Sequence, residues 1–401
     1  MGGLDRLMRG VARARRLAIA AMITVVAATS ASPAGAQVDP EAARVDMRGI
    51  YASLAVLLPL SVDDASFRDP ARQAEIRNAL DELARRARHV GDHVAGDDRR
   101  VQFLARSLSR ETQEARQRFD EGRFDSAQFL VQRLTDFCVA CHTRLPSPGD
   151  SPLASNFMSE AALAALPLTE RASIQVATRR FDDALSTYET LFASPVVPPA
   201  ALLTPLYEYL RVSIRVKNDL ERPRPVLRKL AARPDLWSNL RGDVEDWLSA
   251  LDRHAGESPG RPSIRSARAK LDEAQRRMRF PTDRRGLVQQ LLASAELHRY
   301  LERHAGQTGP KMAEAYYLLG LIEARTHFDY LVSESDFYLE TAIRMAPKAP
   351  VGRQAFELLE EETVLGWTGS GGDHMPAEIR RHLEELRALV EADPETGAKK
   401  D

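Results

Sequence analysis

Asp125-Ser126-Ala127-Gln128-Phe129-Leu130-Val131-Gln132-Arg133-Leu134-Thr135-Asp136-Phe137-Cys138-Val139-Ala140-Cys141-His142 is the stretch on which the reading of the fold turns. Ala127, Leu130, Leu134, Phe137 and Cys141 recur at intervals of three and four until Pro146, which is the spacing of one apolar face on a helix. Both cysteines of the 401-residue chain fall inside a single five-residue window of this helix. A disulfide-stapled scaffold is therefore excluded, and the two thiols have to be read together with the histidine beside them.

Three further helices are expected upstream. Asp39-Pro40-Glu41 supplies a carboxylate cap, a proline at the first helical position and an acid in the first turn. Met47, Ile50, Tyr51, Leu54, Leu57 and Leu58 then form an apolar stripe that lasts until Pro59. A second helix runs from near Pro70 to His93 with Ile76, Leu80, Leu83, Ala87 and Val90 inward, and a third from about Asp98 to Phe119 with Val101, Leu104, Leu108, Ala115 and Phe119 inward. Four amphipathic helices with short connections predict an antiparallel four-helix bundle over residues 37–146.

Residues 147–158 are rich in Pro, Ser and Gly and read as a linker. Beyond it, over residues 159–392, helical patterns come in pairs. Arg180 to Leu185 lead to Tyr188 and Leu191; Leu206 to Leu210 precede Val226 to Leu230 and Pro234; Ala315 to Gly320 precede Tyr338, Ala342, Ile343 and Pro347. Small or aromatic residues at the crossings and a closing proline resemble degenerate tetratricopeptide repeats without a strict period. The glycine run at 369–372 lacks the Lys-Ser/Thr of a phosphate loop and reads as a connector. Residues 393–401 read as a disordered tail. The fold class expected is therefore all-α, with 44% hydrophobic, 28% charged and only 6% aromatic residues, a mixture that favours soluble helices.

The N-terminus reads as an address. Arg6, Arg9, Arg13, Arg15 and Arg16 precede the apolar run Leu17 to Ala28, and Ala34-Gly35-Ala36 offers a cleavage site, so residues 1–36 are expected to be a signal peptide. The run makes a poor membrane span, which needs about 20 apolar residues, and an uncleaved N-terminal anchor is the lesser alternative. Cleavage removes five Arg and one Asp, which takes the formal net charge from −1 to −5. Nothing in that balance points to nucleic acid.

Cys138-Val139-Ala140-Cys141-His142 is the C-x-x-C-H pattern of covalent haem attachment. The thiols add across the haem vinyl groups, and the adjacent imidazole binds iron axially. A thioredoxin-like redox pair would need a βαβ context rather than helical flanks. A structural zinc site would need four ligands, and the chain has no second cysteine pair. A plain disulfide would not need the histidine.

A bundle of this size with C-x-x-C-H near the end of its fourth helix resembles the cytochrome c′ and cytochrome c556 family over about residues 38–146. The resemblance implies Cys138 and Cys141 as thioether anchors for one haem c and His142 as the proximal iron ligand. It also implies that the first helix covers the distal face, where low-spin members carry a methionine and high-spin members leave the iron open. Met47 is the candidate sixth ligand, with core packing as the competing reading. His89 and His93 are rival distal ligands whose polar surroundings favour a solvated surface. Arg44, one turn before Met47, is a candidate propionate contact, with an exposed helix arginine as its alternative.

These readings lead to a periplasmic electron-transfer protein whose repeat module docks it on a redox partner, with a homodimer as a further assembly. A five-coordinate haem binding NO or CO, as sensor or scavenger, is the alternative. With no acid–base constellation beside the motif, no enzyme activity is expected.

Overall fold

The computed structural model describes residues 40–93, 99–144, 160–256, 260–281, 283–326, 334–370 and 372–391. The expected signal peptide, the linker at 147–158, the tail at 393–401 and the Asp39 cap lie outside them. The described chain is almost entirely helical, as its amphipathic periodicity requires.

Helix α1, Pro40–Ser61, carries the first apolar stripe and runs two residues past the Pro59 at which the pattern suggests it stops. Pro59 is exposed on the rim, and the end of the helix is tied down elsewhere. The Gln128 amide donates to the Ser61 carbonyl at 2.8 Å, and Gln132 donates to the same oxygen. A short helix with no amphipathic run to announce it, α2 (Asp64–Arg68), is capped by the Asp63 carboxylate and buries Phe67. Next come α3, Gln73–His93, and α4, Arg99–Asp120. Arg77 binds Asp120 at 3.0 Å and Arg116 pairs with Asp81, so these two helices run antiparallel.

The stretch from residue 124 to residue 142 is two helices rather than one. α5, Phe124–Arg133, gives way at Leu134 to α6, Thr135–His142. The Leu134 amide reaches the Val131 carbonyl at 3.3 Å, an i to i+3 bond that tightens the turn and re-aims the chain. α1, α3, α4 and α5 surround one core that includes Leu57, Ile76, Leu80, Leu83, Leu104, Phe119 and Leu134.

The following helices pack largely on their neighbours in sequence. They are α7 (Glu160–Ala164), α8 (Leu168–Ala177), α9 (Phe181–Ala193), α10 (Leu203–Arg211) with the π-helical turn Val212–Val216, α11 (Pro223–Ala231) and α12 (Ser238–Arg253). After these come α13 (Ile264–Arg277), α14 (Leu287–Arg303), α15 (Pro310–Thr326), α16 (Glu334–Met345), α17 (Pro350–Trp367) and α18 (Ala377–Glu391). The glycine run connects the last two as a two-residue antiparallel ladder pairing Thr368 with Asp373. α15 and α16 approach closely at Gly320, where a Cβ would come 2.7 Å from the Leu339 side chain. A small residue at a helix crossing is what the sequence pattern called for.

A linker at 147–158 would leave few contacts between the residues on its two sides, and the fold has several. Leu163, Leu166 and Ile174 belong to the same core as α1 and α3, and Val139 of α6 is buried among Ala172, Val176 and Phe181 instead. Phe103 of α4 stacks on Phe337 of α16 with ring centroids 4.9 Å apart. Arg144 and Glu334, both buried, lie 3.8 Å apart. The cause is the turn at Leu134: α6 leaves α5 with apolar side chains on both flanks, and one core cannot cover both.

If the ring stack joins the two halves, truncating both partners should be non-additive. Phe103→Ala and Phe337→Ala should show a coupling of about 0.5–1.5 kcal/mol in a urea-unfolding double-mutant cycle. Strict additivity would mean that the two rings do not meet in solution.

Candidate functional site

Successive helical residues turn by about 100°, so Cys138, Cys141 and His142 occupy one narrow face of α6. The other residues of the helix fix that face. Thr135, Asp136, Phe137, Val139 and Ala140 are buried. Phe137 and Ala140 enter the core of α1, α3 and α4, Cys141 packs against that core, and Val139 enters the core of α8 and α9. Arg133 holds Asp136 at 2.8 Å. At the other end the Thr143 hydroxyl closes on the Val139 carbonyl at 2.8 Å.

His142 is oriented by a group far away in sequence. Its Nδ1 lies 2.6 Å from the carbonyl oxygen of Ala177, in the last turn of α8. A helix leaves its last carbonyls without partners of its own, and an imidazole N–H is a suitable donor to one of them. A carbonyl oxygen can only accept, so Nδ1 carries the proton and Nε2 keeps its lone pair. Burial, with the positive Arg179 alongside, pushes the imidazole pKa down to about 4 against the opposing effect of the Ala177 bond, so the ring is neutral near pH 7. Arg179 itself sits in the left-handed region at φ 61, where the chain leaves α8.

The two thiols are half-buried and not joined to each other. Cys138 Sγ lies 3.9 Å from the Leu134 carbonyl. Burial first, and then the neighbouring Cys141, push the Cys138 thiol up to about 12. Two unjoined thiols at this spacing and a neutral imidazole with a fixed tautomer form a donor set that fits a covalently attached haem. A ligating histidine characteristically gives its other N–H to a backbone carbonyl or carboxylate, as His142 does here. Among the described residues, no group of three or more His, Cys, Asp or Glu side chains is placed to hold a metal ion.

The remaining candidates are spread over the first and third helices. Met47 is half-buried on α1 and packs against the core that Cys141 also touches, so the two lie on one core. Its neighbour Asp46 is buried and bound by Arg86 at 2.8 Å. Arg44 is exposed and reaches Glu41 at 3.3 Å. His89 is exposed on α3, and the side chain of His93 lies outside the described residues. Sequence reasoning missed the Ala177 carbonyl and the Arg144–Glu334 contact. Ala177 did leave a trace, because Thr178-Arg179-Arg180 interrupts the helical pattern and marks a helix end.

A cavity of about 280 Å3 opens near the N-terminal end of α6, lined among others by Gln132, Thr135, Asp136, Glu170, Ser173 and Glu208. Leu58, Val62 and Ile174 also line it, so its wall is mixed.

Compared with family models, curated proteins and solved structures, the chain matches none.

Burial of Cys138 has a direct consequence for a chain whose two thiols are free. Cys138 should react with iodoacetamide far more slowly than an ordinary cysteine near pH ~8, and at the ordinary rate once urea unfolds the protein. Fast labelling of the folded chain would contradict the packing of α6.

Proposed function

We propose that the protein is an exported mono-haem c-type cytochrome that transfers electrons, and that its C-terminal helices dock it on a redox partner in the periplasm. The observation that carries this is the conjunction on α6: Cys138 and Cys141 one turn apart on one face, and His142 beside them with Nδ1 committed to Ala177. Cys138 and Cys141 would hold the group as thioethers, and His142 Nε2 would ligate its iron. The haem supplies a one-electron couple.

The rest of the chain supports that use. Burial and the nearby Arg179 keep the imidazole neutral, the Ala177 carbonyl orients it, and the double burial of α6 keeps the attachment face from drifting. The packing of α1, α3, α4 and α5 with α6 is compatible with a bundle of the cytochrome c′ and c556 type. The pairwise packing from α8 to α17 is compatible with a helical-repeat module. Such modules present extended surfaces to partners.

Met47 separates electron transfer from the alternative, an open iron that binds NO or CO. Its half-buried place against the bundle core is compatible with a sixth ligand from α1 and with plain core packing alike. Were it the sixth ligand, docking on a partner rather than gas capture would follow, because a His/Met pair raises the reduction potential and closes the iron.

The pigment of the exported protein should resist acidic acetone and stay with the chain on a denaturing gel. Cys138→Ala or Cys141→Ala should weaken attachment, and His142→Ala should abolish the native spectrum. Met47→Ala should turn a low-spin spectrum high-spin and admit CO quickly. A wild type that is already high-spin and unchanged by Met47→Ala would transfer the reading to gas binding.

A further inference from the structure

Residues 99–110 of α4 contain four arginines, Arg99, Arg100, Arg106 and Arg110, and no acid. The positive end of a helix dipole disfavours cations, and α4 has no acid in its first turn to offset them. Arg106 and Arg110 also lie one turn apart on one face, where like charges repel. Neither choice stabilises the helix.

Both residues border a groove of about 340 Å3 between α3 and α4, lined by Arg88 from α3 and by Ala105, Arg106, Ser109, Arg110 and Glu114 from α4, among others. The acid on its wall is already engaged, because Arg118 binds Glu114 at 2.6 Å. Arg110 is answered by Glu111 at 3.1 Å. Arg88 and Arg106, both exposed, form no ion pair or hydrogen bond with any described residue. Two positive charges are therefore left over in this groove, on a chain whose formal net charge is −1.

The groove lies at the motif end of the bundle. α3 and α4 run antiparallel, so the end of α3 that carries Arg88 lies beside the first half of α4. Phe103, one turn before Arg106, stacks on Phe337 of α16. Glu334, one turn before Phe337, lies 3.8 Å from Arg144, which is two residues past His142. A partner held in the groove would sit beside the end of α6 that carries Cys138, Cys141 and His142.

We propose that the groove at Arg88 and Arg106 is the docking site for an acidic segment of a partner protein, a proposal that rests on reading the chain as an electron carrier and names where its partner is gripped. Planar guanidinium groups match carboxylates in a two-pronged geometry, and these two have no carboxylate of their own. With Ala105 as its apolar floor, the groove holds by charge rather than by buried area, which suits a partner that must bind and then leave. None of the described lining residues is aromatic, so a nucleic-acid base finds no stacking platform. A concave site with two free cations also falls short of the polybasic clusters, roughly four to eight residues, that hold anionic membranes.

The exported full-length protein can be titrated with a labelled helical peptide of Glu and Ala, and with its counterpart in which every Glu is Lys. The Glu/Ala peptide should bind, weaken as salt is raised, and lose about tenfold in affinity to the double variant Arg88→Gln, Arg106→Gln, with unchanged circular dichroism. Arg88→Lys with Arg106→Lys keeps both charges and should bind more tightly than the Gln pair. A control, Arg265→Gln with Arg353→Gln, removes exposed arginines remote in sequence and should bind as the wild type does. Equal losses in control and double variant would overturn the proposal, as would equal binding of the Lys/Ala peptide or no binding of the Glu/Ala one. Tighter binding of inorganic phosphate than of the peptide, or of anionic lipid vesicles that the double variant no longer holds, would also overturn it, giving the groove to a free anion or a membrane. The haem spectrum of the same samples separates the two readings. Intact haem with failed binding removes only the groove, whereas binding that depends on Arg88 and Arg106 in a chain without covalent haem removes only the cytochrome.

Discussion

The bond from His142 Nδ1 to the Ala177 carbonyl is the interaction on which the account depends. It joins the last residue of α6 to the last residue of α8, and so couples the proposed attachment motif to helices beyond residue 158. It decides which ring nitrogen can act as a ligand, because the carbonyl claims the other. It also requires α6 to sit against α8, and the burial of Val139 among Ala172 and Val176 is the packing that makes this so.

From that requirement the rest of the arrangement follows. α6 must be apolar on both flanks, with Phe137 and Ala140 facing one core and Val139 the other. It must therefore break from α5, and it does so at Leu134. The surfaces that meet around it need further fastening, which the Phe103–Phe337 stack and the Arg144–Glu334 contact supply. A buried pair of charges is a costly fastening compared with apolar packing. It does, however, fix one register of α16 against the end of α6, and a site whose imidazole must stay oriented benefits from a single register.

The sequence disclosed what is local. Periodicities of three and four gave α1, α3, α4 and α5 because each buries a stripe, and the C-x-x-C-H spacing put Cys138, Cys141 and His142 on one face because a single helix suffices to bring them together. Non-local features stayed hidden. Val139 reads as one more apolar residue between two cysteines, and nothing in its neighbours says that it faces α8. Ala177 acts through its backbone, which carries no side-chain signal at all. Pro59 looked like the end of α1, yet the helix outlasts it because Gln128 and Gln132, in a distant helix, bind the Ser61 carbonyl. Arg44 read equally as a propionate contact or an exposed arginine, and in the fold it is exposed and reaches the nearby Glu41.

The central claim is that Cys138, Cys141 and His142 hold one haem covalently, and the intact mass of the exported protein tests it most directly. A chain beginning near Gln37, heavier by one haem, with the added mass on the peptide that contains Cys138 to His142 and no reactive thiol after unfolding, is the result the account predicts. A haem-free mass with two reactive thiols, or with the small loss expected of a Cys138–Cys141 disulfide, would contradict it.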